Sequence, residues 1–195
     1  MAMTLIKPED LISNEDYKRR REDRVKKIIE IKNRRRLEVG PWISLVFENR
    51  DTVIHQIQEM LFIENLRSPA EIAHEIETYC ELLPGPEELS ATFFIEIDDA
   101  PRRQKTLVDL AGIEKSLRLR LGEKVCAAQD KRPIAPEFLR PQASAVYYLR
   151  FPLGGGLREN LLKHREGRLE ITHPAYRRAA ALNCELIEEL AREVV

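Results

Sequence analysis

The chain has little cysteine, few aromatic residues and no sign of a secretion signal. Aromatic side chains make up 6% of the 195 residues, and there are three cysteines. Cys80, Cys126 and Cys184 lie far apart and form no Cys-x-x-Cys pair, so their spacing indicates no zinc or iron–sulfur cage. The first residues lack the basic stretch and apolar core of a signal peptide. We therefore predict reduced thiols in a cytoplasmic protein.

Long hydrophobic runs and familiar catalytic signatures are missing as well. No apolar run reaches the roughly 18 residues of a membrane span, so we expect no membrane association. The Gly-x-Ser-x-Gly and P-loop patterns do not occur, and the sequence assigns no reaction. The 43% hydrophobic content suffices for a core. The length favours a single domain over 1–195, with a helical segment over 1–40 and an α+β body over 41–195.

Hydrophobic periodicity predicts the α+β class. We expect an antiparallel sheet of about four to six strands, with helices packed mainly on one face and a long basic N-terminal helix. Predicted strands cover 42–47, 89–97, 117–121, 124–128, 145–151 and 169–172. The proline-rich residues 130–142 predict a long loop, and residues 174–194 predict a terminal helix.

Capping residues mark where the first helices begin. Asn14 is the expected cap of the basic helix, and Thr52 or Asp51 is the expected cap of the second. Ser68, followed by a proline and by Glu71, has the pattern of a capping box and predicts the start of the third helix.

Charge is sorted along the chain although the formal net charge is only −1. Between Lys18 and Arg36 there are eleven Lys or Arg and three acids, whereas between Glu71 and Asp99 there are nine acids and no Lys or Arg. Two explanations compete: the segments pack against each other, in one subunit or across a homodimer, or they dock another protein. Nucleic-acid binding is the least favoured explanation, because no aromatics interleave the basic run and the isoelectric point is near 6.5.

Histidine and glutamate recur at helical spacing. Glu71 and His74 form a Glu-x-x-His pattern that places both side chains on one helix face, as in carboxylate-bridged metal sites. A second such pattern ends at His173, directly before a proline, and so lies outside a helix interior. His55 and Glu59 also share a helix face. The candidate metal ligands are His55, Glu59, His74 and His173, and the alternative is a set of polar surface pairs.

Three stretches resemble a known family. They are residues 32–61, 148–151 and 173–176, of which Glu48 to Met60 is the most specific. Together they resemble an uncharacterised bacterial domain-of-unknown-function family with no established activity to carry over. Members of that family are often encoded beside a rubrerythrin-like protein and a cysteine-rich iron–sulfur oxidoreductase. The resemblance implies, by association only, a role near peroxide or iron–sulfur redox chemistry.

The specific block also contains polar groups on or beside one predicted helix. In a structural account, Arg50 pairs with a carboxylate and Gln56 ties loop backbone. In a functional account, the same groups line a pocket with residues near the end of the chain. The candidate pocket consists of Arg50, Gln56, Glu59, Glu64, His173 and Tyr176.

These observations favour an accessory or interaction protein that serves a cytoplasmic redox system. The expected partner is an iron–sulfur oxidoreductase or a rubrerythrin-like protein, and Arg34, Arg35 and Arg36 are expected in the docking surface. The alternative is a metal-binding enzyme or sensor that uses the His and Glu candidates. Apart from that metal ion, no cofactor is indicated.

Overall fold

A computed structural model describes residues 6–132, 142–164 and 166–194. Its helices are α1 (Asn14–Arg34), α2 (Arg50–Ile63), α3 (Pro69–Cys80), α4 (Ala100–Asp109), α5 (Leu157–His164) and α6 (Cys184–Glu193). Its strands are β1 (Arg36–Glu38), β2 (Ile43–Phe47), β3 (Glu88–Ile95), β4 (Leu117–Leu121), β5 (Lys124–Ala127), β6 (Gln129–Asp130), β7 (Val146–Pro152), β8 (Gly167–His173) and β9 (Tyr176–Ala181). None of the helices in these ranges has the length and apolar composition to cross a membrane.

The strands form two antiparallel sheets, which confirms the α+β class. Sheet A has the order β1-β2-β3-β7-β6, and sheet B has the order β5-β4-β8-β9. The expectation of one sheet was wrong, because β4 pairs with β5 and β8 and joins none of the strands of sheet A. The alternation in β4 is nevertheless as predicted: Leu117, Leu119 and Leu121 are buried, and the two arginines between them are half-buried.

Two hydrophobic clusters hold the elements together. The larger one joins the inner residues of both sheets to α5 and α6, with Phe93, Leu119 and Leu190 among its fully buried members. The smaller one gathers α2 and α3 around Val53 and Ile57. Helix α1 joins this side of the molecule through Tyr17 and Ile28, its two buried residues. Helices α2 and α3 therefore have a small hydrophobic core that is separate from the larger one.

The predicted terminal helix over 174–194 was wrong in its first half. Residues Tyr176–Ala181 form β9, which pairs with β8 across a two-residue hairpin connection, and α6 begins only at Cys184. The Asn183 side chain caps α6 by accepting a hydrogen bond from the Leu186 N–H. Alanines favour helix locally, but pairing with a neighbouring strand overrides that preference.

Other boundaries differ by a few residues. The cap of α1 is Ser13, one residue before the predicted Asn14, whose amide instead donates to the carbonyls of Leu61 and Leu66. The cap of α2 is Asn49, ahead of the predicted Thr52 or Asp51. The capping box at Ser68 is confirmed. Most of the predicted loop over 130–142 lies outside the described residues.

Arg35 is a fully buried charge at the junction of three elements. Its Nε donates to the carbonyl of Phe47 at 2.7 Å, at the end of β2. Its Nη1 lies 3.2 Å from carboxylate oxygens of both Glu189 and Glu193 on α6. A buried guanidinium is stable only with such a full set of acceptors. The C-terminal end of α1 is thereby fixed to sheet A and to α6.

The structure gives internal partners to Arg34, Arg35 and Arg36, the residues expected in the docking surface. Arg34 Nε lies 3.6 Å from Glu189, and Arg36 pairs with Glu38 on its own strand and with Glu96. All three side chains are therefore engaged within the subunit. Arg34 and Arg35 share Glu189 on α6, whereas Arg36 has separate partners at the edge of sheet A.

We predict that Arg35→Met lowers the free energy of unfolding by about 2–4 kcal/mol, because it leaves buried acceptors without a donor. Urea denaturation followed by circular dichroism measures the change. The matched control is Arg34→Met, whose side chain is 39% exposed, and it should cost less than about 1 kcal/mol. Equal effects of the two substitutions would show that the buried network is not the source of stability.

Candidate functional site

The basic and acidic segments of the chain touch at one ion pair in the described structure. Arg36 and Glu96 form that pair, at the edge of sheet A. The other acids that bind basic residues of α1 come from elsewhere, such as Glu59 on α2 and Glu189 on α6. Packing of the two segments against each other within a subunit therefore explains little of the charge sorting.

A groove runs between α1 and α2. The two helices lie antiparallel, since Arg21 near the start of α1 contacts Glu59 near the end of α2. The groove has a volume of about 460 Å³ and is lined on its apolar side by Ile28, Ile31 and Ile54. It combines a hydrophobic floor with an open, solvated mouth.

Three cations line the mouth of this groove. Arg20, Arg24 and Lys27 follow one another at helical spacing on one face of α1. Within the described ranges none of the three forms an ion pair, whereas Arg21, Lys26 and the arginines at the end of α1 do. Asp23 and Asp51 also line the groove, so the cations exceed the acids there. The groove therefore carries three cations of the basic run that no acid pairs with in the described structure.

His55 lies at the groove in a neutral form at neutral pH. Burial lowers its pKa from the ordinary value of 6.5, and the nearby charge of Lys32 lowers it further. The neighbouring Glu59 acts in the opposite direction but does not outweigh them. The positive charge of the groove therefore comes from arginine and lysine, and protonation of His55 would add to it only in acid.

Glu59 is held by a hydrogen-bond network that joins α1 to α2. The fully buried Tyr17 donates its hydroxyl to Glu59 Oε1 at 2.5 Å. Arg21 donates from Nε at 2.9 Å and from Nη2 at 2.8 Å, one bond to each carboxylate oxygen. These hydrogen bonds hold the pKa of Glu59 below its ordinary value, and those from Arg21 have the largest effect. Burial and the same carboxylate raise the pKa of Tyr17.

The predicted polar pocket separates into two groups. Arg50 pairs with Asp10, as the structural account expected. Gln56 lies beside the side chain of Tyr79, and Glu64 is the exposed C-terminal cap of α2. Glu59 is engaged as described above. All four candidates in this group lie on or beside α2.

The other group lies on the hairpin of β8 and β9. A ring nitrogen of His173 is 3.2 Å from the carbonyl of Ala111, and Tyr176 donates to the carbonyl of Val39 at 2.6 Å. Tyr176 also packs on Trp42, with ring centroids 4.4 Å apart. No contact among the described residues connects this hairpin with the α2 group.

Gln58 is a connecting residue that the sequence did not reveal. Its buried amide accepts from the N–H of Ile12 at 2.9 Å and donates to the carbonyl of Ile12 at 3.0 Å. This is the loop-tying role that had been expected of Gln56. The only signal was a glutamine at a helix position shared with apolar residues, which sequence alone does not distinguish from a surface glutamine.

The candidate metal ligands are on separate elements. His55 and Glu59 are on α2, His74 is on the exposed side of α3, and His173 ends β8. Across the described parts of the chain, no three His, Cys, Asp or Glu side chains gather as a metal ion would need. The geometry therefore adds no support to the metal hypothesis.

The three cysteines are free thiols. Burial raises the pKa of Cys126 to about 11, so this thiol stays protonated at neutral pH and is a poor nucleophile. The free state of all three agrees with the expectation of reduced thiols.

Together these features define a two-sheet α+β protein with a cationic groove on its helical side. The chain belongs to the family described as protein of unknown function (DUF3501), whose sequence profile matches residues 5–194. This confirms the resemblance to an uncharacterised family. The chain is also similar to a crystal structure of a novel protein of unknown function from Burkholderia pseudomallei, with 29% identity and a TM-score of 0.92 over 98% of this chain and 100% of that one. No curated protein matches the chain.

We predict that Glu59→Gln weakens the contact between α1 and α2. As the pH is lowered, the free energy of unfolding should fall less in this variant than in the wild type. A carboxylate whose folded pKa is depressed stabilises the fold above its unfolded pKa, near 4.5, and loses that contribution as pH falls through the lower folded value. Loss of its charged hydrogen bonds should cost about 1–2 kcal/mol at neutral pH.

Urea denaturation at neutral pH and at a series of lower pH values tests this, because protonation of Glu59 should bring the free energy of unfolding of the wild type towards that of the variant. The matched control is Glu22→Gln, which removes an exposed carboxylate paired only with Lys26 and should change little. A wild type and a Glu59→Gln variant with the same stability at neutral pH would contradict the assignment.

Proposed function

We propose that the protein is an accessory protein that docks an acidic partner protein along the groove between α1 and α2. The proposal rests on the row of Arg20, Arg24 and Lys27. These three side chains form no ion pair within the described chain and lie beside an apolar floor. Complementary charge steers a partner to such a surface, and the burial of apolar side chains then adds affinity.

The apolar floor favours a protein over a nucleic acid as the ligand. Ile28, Ile31 and Ile54 would contact nonpolar side chains but have no role in phosphate binding. Asp23 and Asp51 on the groove would repel a phosphate backbone, while they can pair with cations of a protein partner. The near-neutral total charge points the same way.

The identity of the partner is the second part of the proposal. We take it to be an iron–sulfur oxidoreductase or a rubrerythrin-like protein, because the family resemblance associates members with such proteins. The compartment is then the cytoplasm, with which three free thiols are compatible. This redox link rests on the resemblance alone and is separable from the docking geometry.

We expect the double substitution Arg24→Glu with Lys27→Glu to weaken partner binding by at least about tenfold, because it reverses the charge of the groove. The measurement is an anaerobic pull-down of the tagged protein from its own cells at low salt, read by mass spectrometry. Titration of the purified partner then gives the affinity. Binding of the wild type should also fall at about 0.5 M salt, where screening is strong.

The control is Arg19→Glu with Lys26→Glu, at two positions of α1 that do not line the groove. It makes the same change in charge at exposed positions that pair only with Asp16 and Glu22 on the same helix, and it should retain the partner. Equal retention by both double variants would reject the groove as the docking site. Recovery of a partner with no redox cofactor, lost only in the groove variant, would keep the docking site and remove the redox link.

A further inference from the structure

Strand β9 forms an outer edge of sheet B. It pairs with β8 on one side, in a register that runs from Arg168 opposite Ala181 to His173 opposite Tyr176. No other strand in the described ranges pairs with it. One side of its backbone is therefore available for a further strand.

The register identifies the backbone groups on this open side. The N–H of Leu182 donates to the carbonyl of Gly167, so the even-numbered residues of β9 bond to β8. The N–H and C=O groups of Arg177, Ala179 and Ala181 then face away from the sheet. All three residues are exposed. Only the Arg177 carbonyl has a partner among the described contacts, the Nη1 of its neighbour Arg178 on the solvent side.

Contacts anchor the strand at both of its ends. Tyr176 is anchored to the carbonyl of Val39 and packs on Trp42 at the first end. At the other end, Asn183 caps α6 directly after the strand. An exposed strand edge can pair with a further strand, and proteins usually protect such an edge with charges or bulges. Here charged side chains occupy only the half of β9 that contains Arg177 and Arg178.

We propose that β9 pairs antiparallel with β9 of a second copy of this chain, about a two-fold axis at Ala179. This register sets Ala179 opposite the partner's Ala179 and Arg177 opposite the partner's Ala181. Every pair then joins residues whose free backbone groups face the partner, and each pair exchanges two hydrogen bonds. Sheet B continues into the second subunit as one sheet.

Charge selects this register over its neighbours. An axis at Arg177 would place two arginines directly opposite each other, which is destabilising. An axis at Ala181 would require Asn183, the N-cap of α6, to pair with Ala179 of the second copy. The axis at Ala179 avoids both, and it pairs the charged half of one strand with the uncharged half of the other. This complementarity favours a second copy over an unrelated strand as the occupant.

The inference does not depend on the docking groove. The groove lies between α1 and α2, and β9 lies at the edge of sheet B. The groove variants described above should therefore associate like the wild type.

The test is the oligomeric state of the intact chain, measured by sedimentation equilibrium over a range of concentrations. We expect a concentration-dependent dimer of the 22.7 kDa chain. Ala181→Arg places an arginine opposite Arg177 at both ends of the pairing and should weaken dimerisation by about tenfold. Adding Arg177→Glu to that variant converts both contacts to opposite charges and should restore the dimer.

The matched control is Ala127→Arg on β5, the other edge of sheet B. Ala127 faces Arg118 across its strand pair, just as Ala181 faces Arg168, so any destabilisation of the fold itself should be similar in the two variants. The control should dimerise like the wild type. A wild type that is monomeric throughout would overturn the proposal. So would a dimer that is unaffected by Ala181→Arg, or one that the charge exchange fails to restore.

Discussion

The placement of α1 depends on the burial of one charge. The guanidinium of Arg35 has no access to solvent and is satisfied by the end of β2 and by two carboxylates of α6. Desolvating a charge is costly, so the three elements are stable only in the arrangement that completes this set. The direction of α1 follows, and with it the side of the helix that meets α2. The shape of the groove thus depends on an interaction at the C-terminal cap of α1.

The basic residues of α1 follow one another in sequence, but only some of them have acidic partners within the protein. Arg35 and Arg36 bind acids of the body, and Arg21 binds Glu59 to close the helix against α2. Arg20, Arg24 and Lys27 form no ion pair within the described chain and share the face of α1 that lines the groove. A charge run in sequence therefore overstates the surface available to a partner. The tertiary contacts decide which members of the run stay free.

Local signals in the sequence were sufficient for much of the fold. The capping box at Ser68 and the alternation in β4 each depend on neighbouring residues alone, and both were predicted. Long-range contacts were not predictable. The first half of the helix expected at 174–194 is a strand because β8 offers a pairing edge, and Gln58 matters only because residue 12 returns to α2. The candidate pocket was split for the same reason, since spacing along the chain does not report which elements become neighbours.

The partners of Arg35 are also distant in time during synthesis. Glu189 follows it by 154 residues and Glu193 by 158. At about 5–20 residues per second, a ribosome needs roughly 8–30 s to make that interval. Until then the cation has no carboxylate to accompany it into the interior, so it must stay hydrated and the corner between α1 and sheet A must remain open. The corner between α1 and sheet A is therefore expected to close only after α6 has been synthesised.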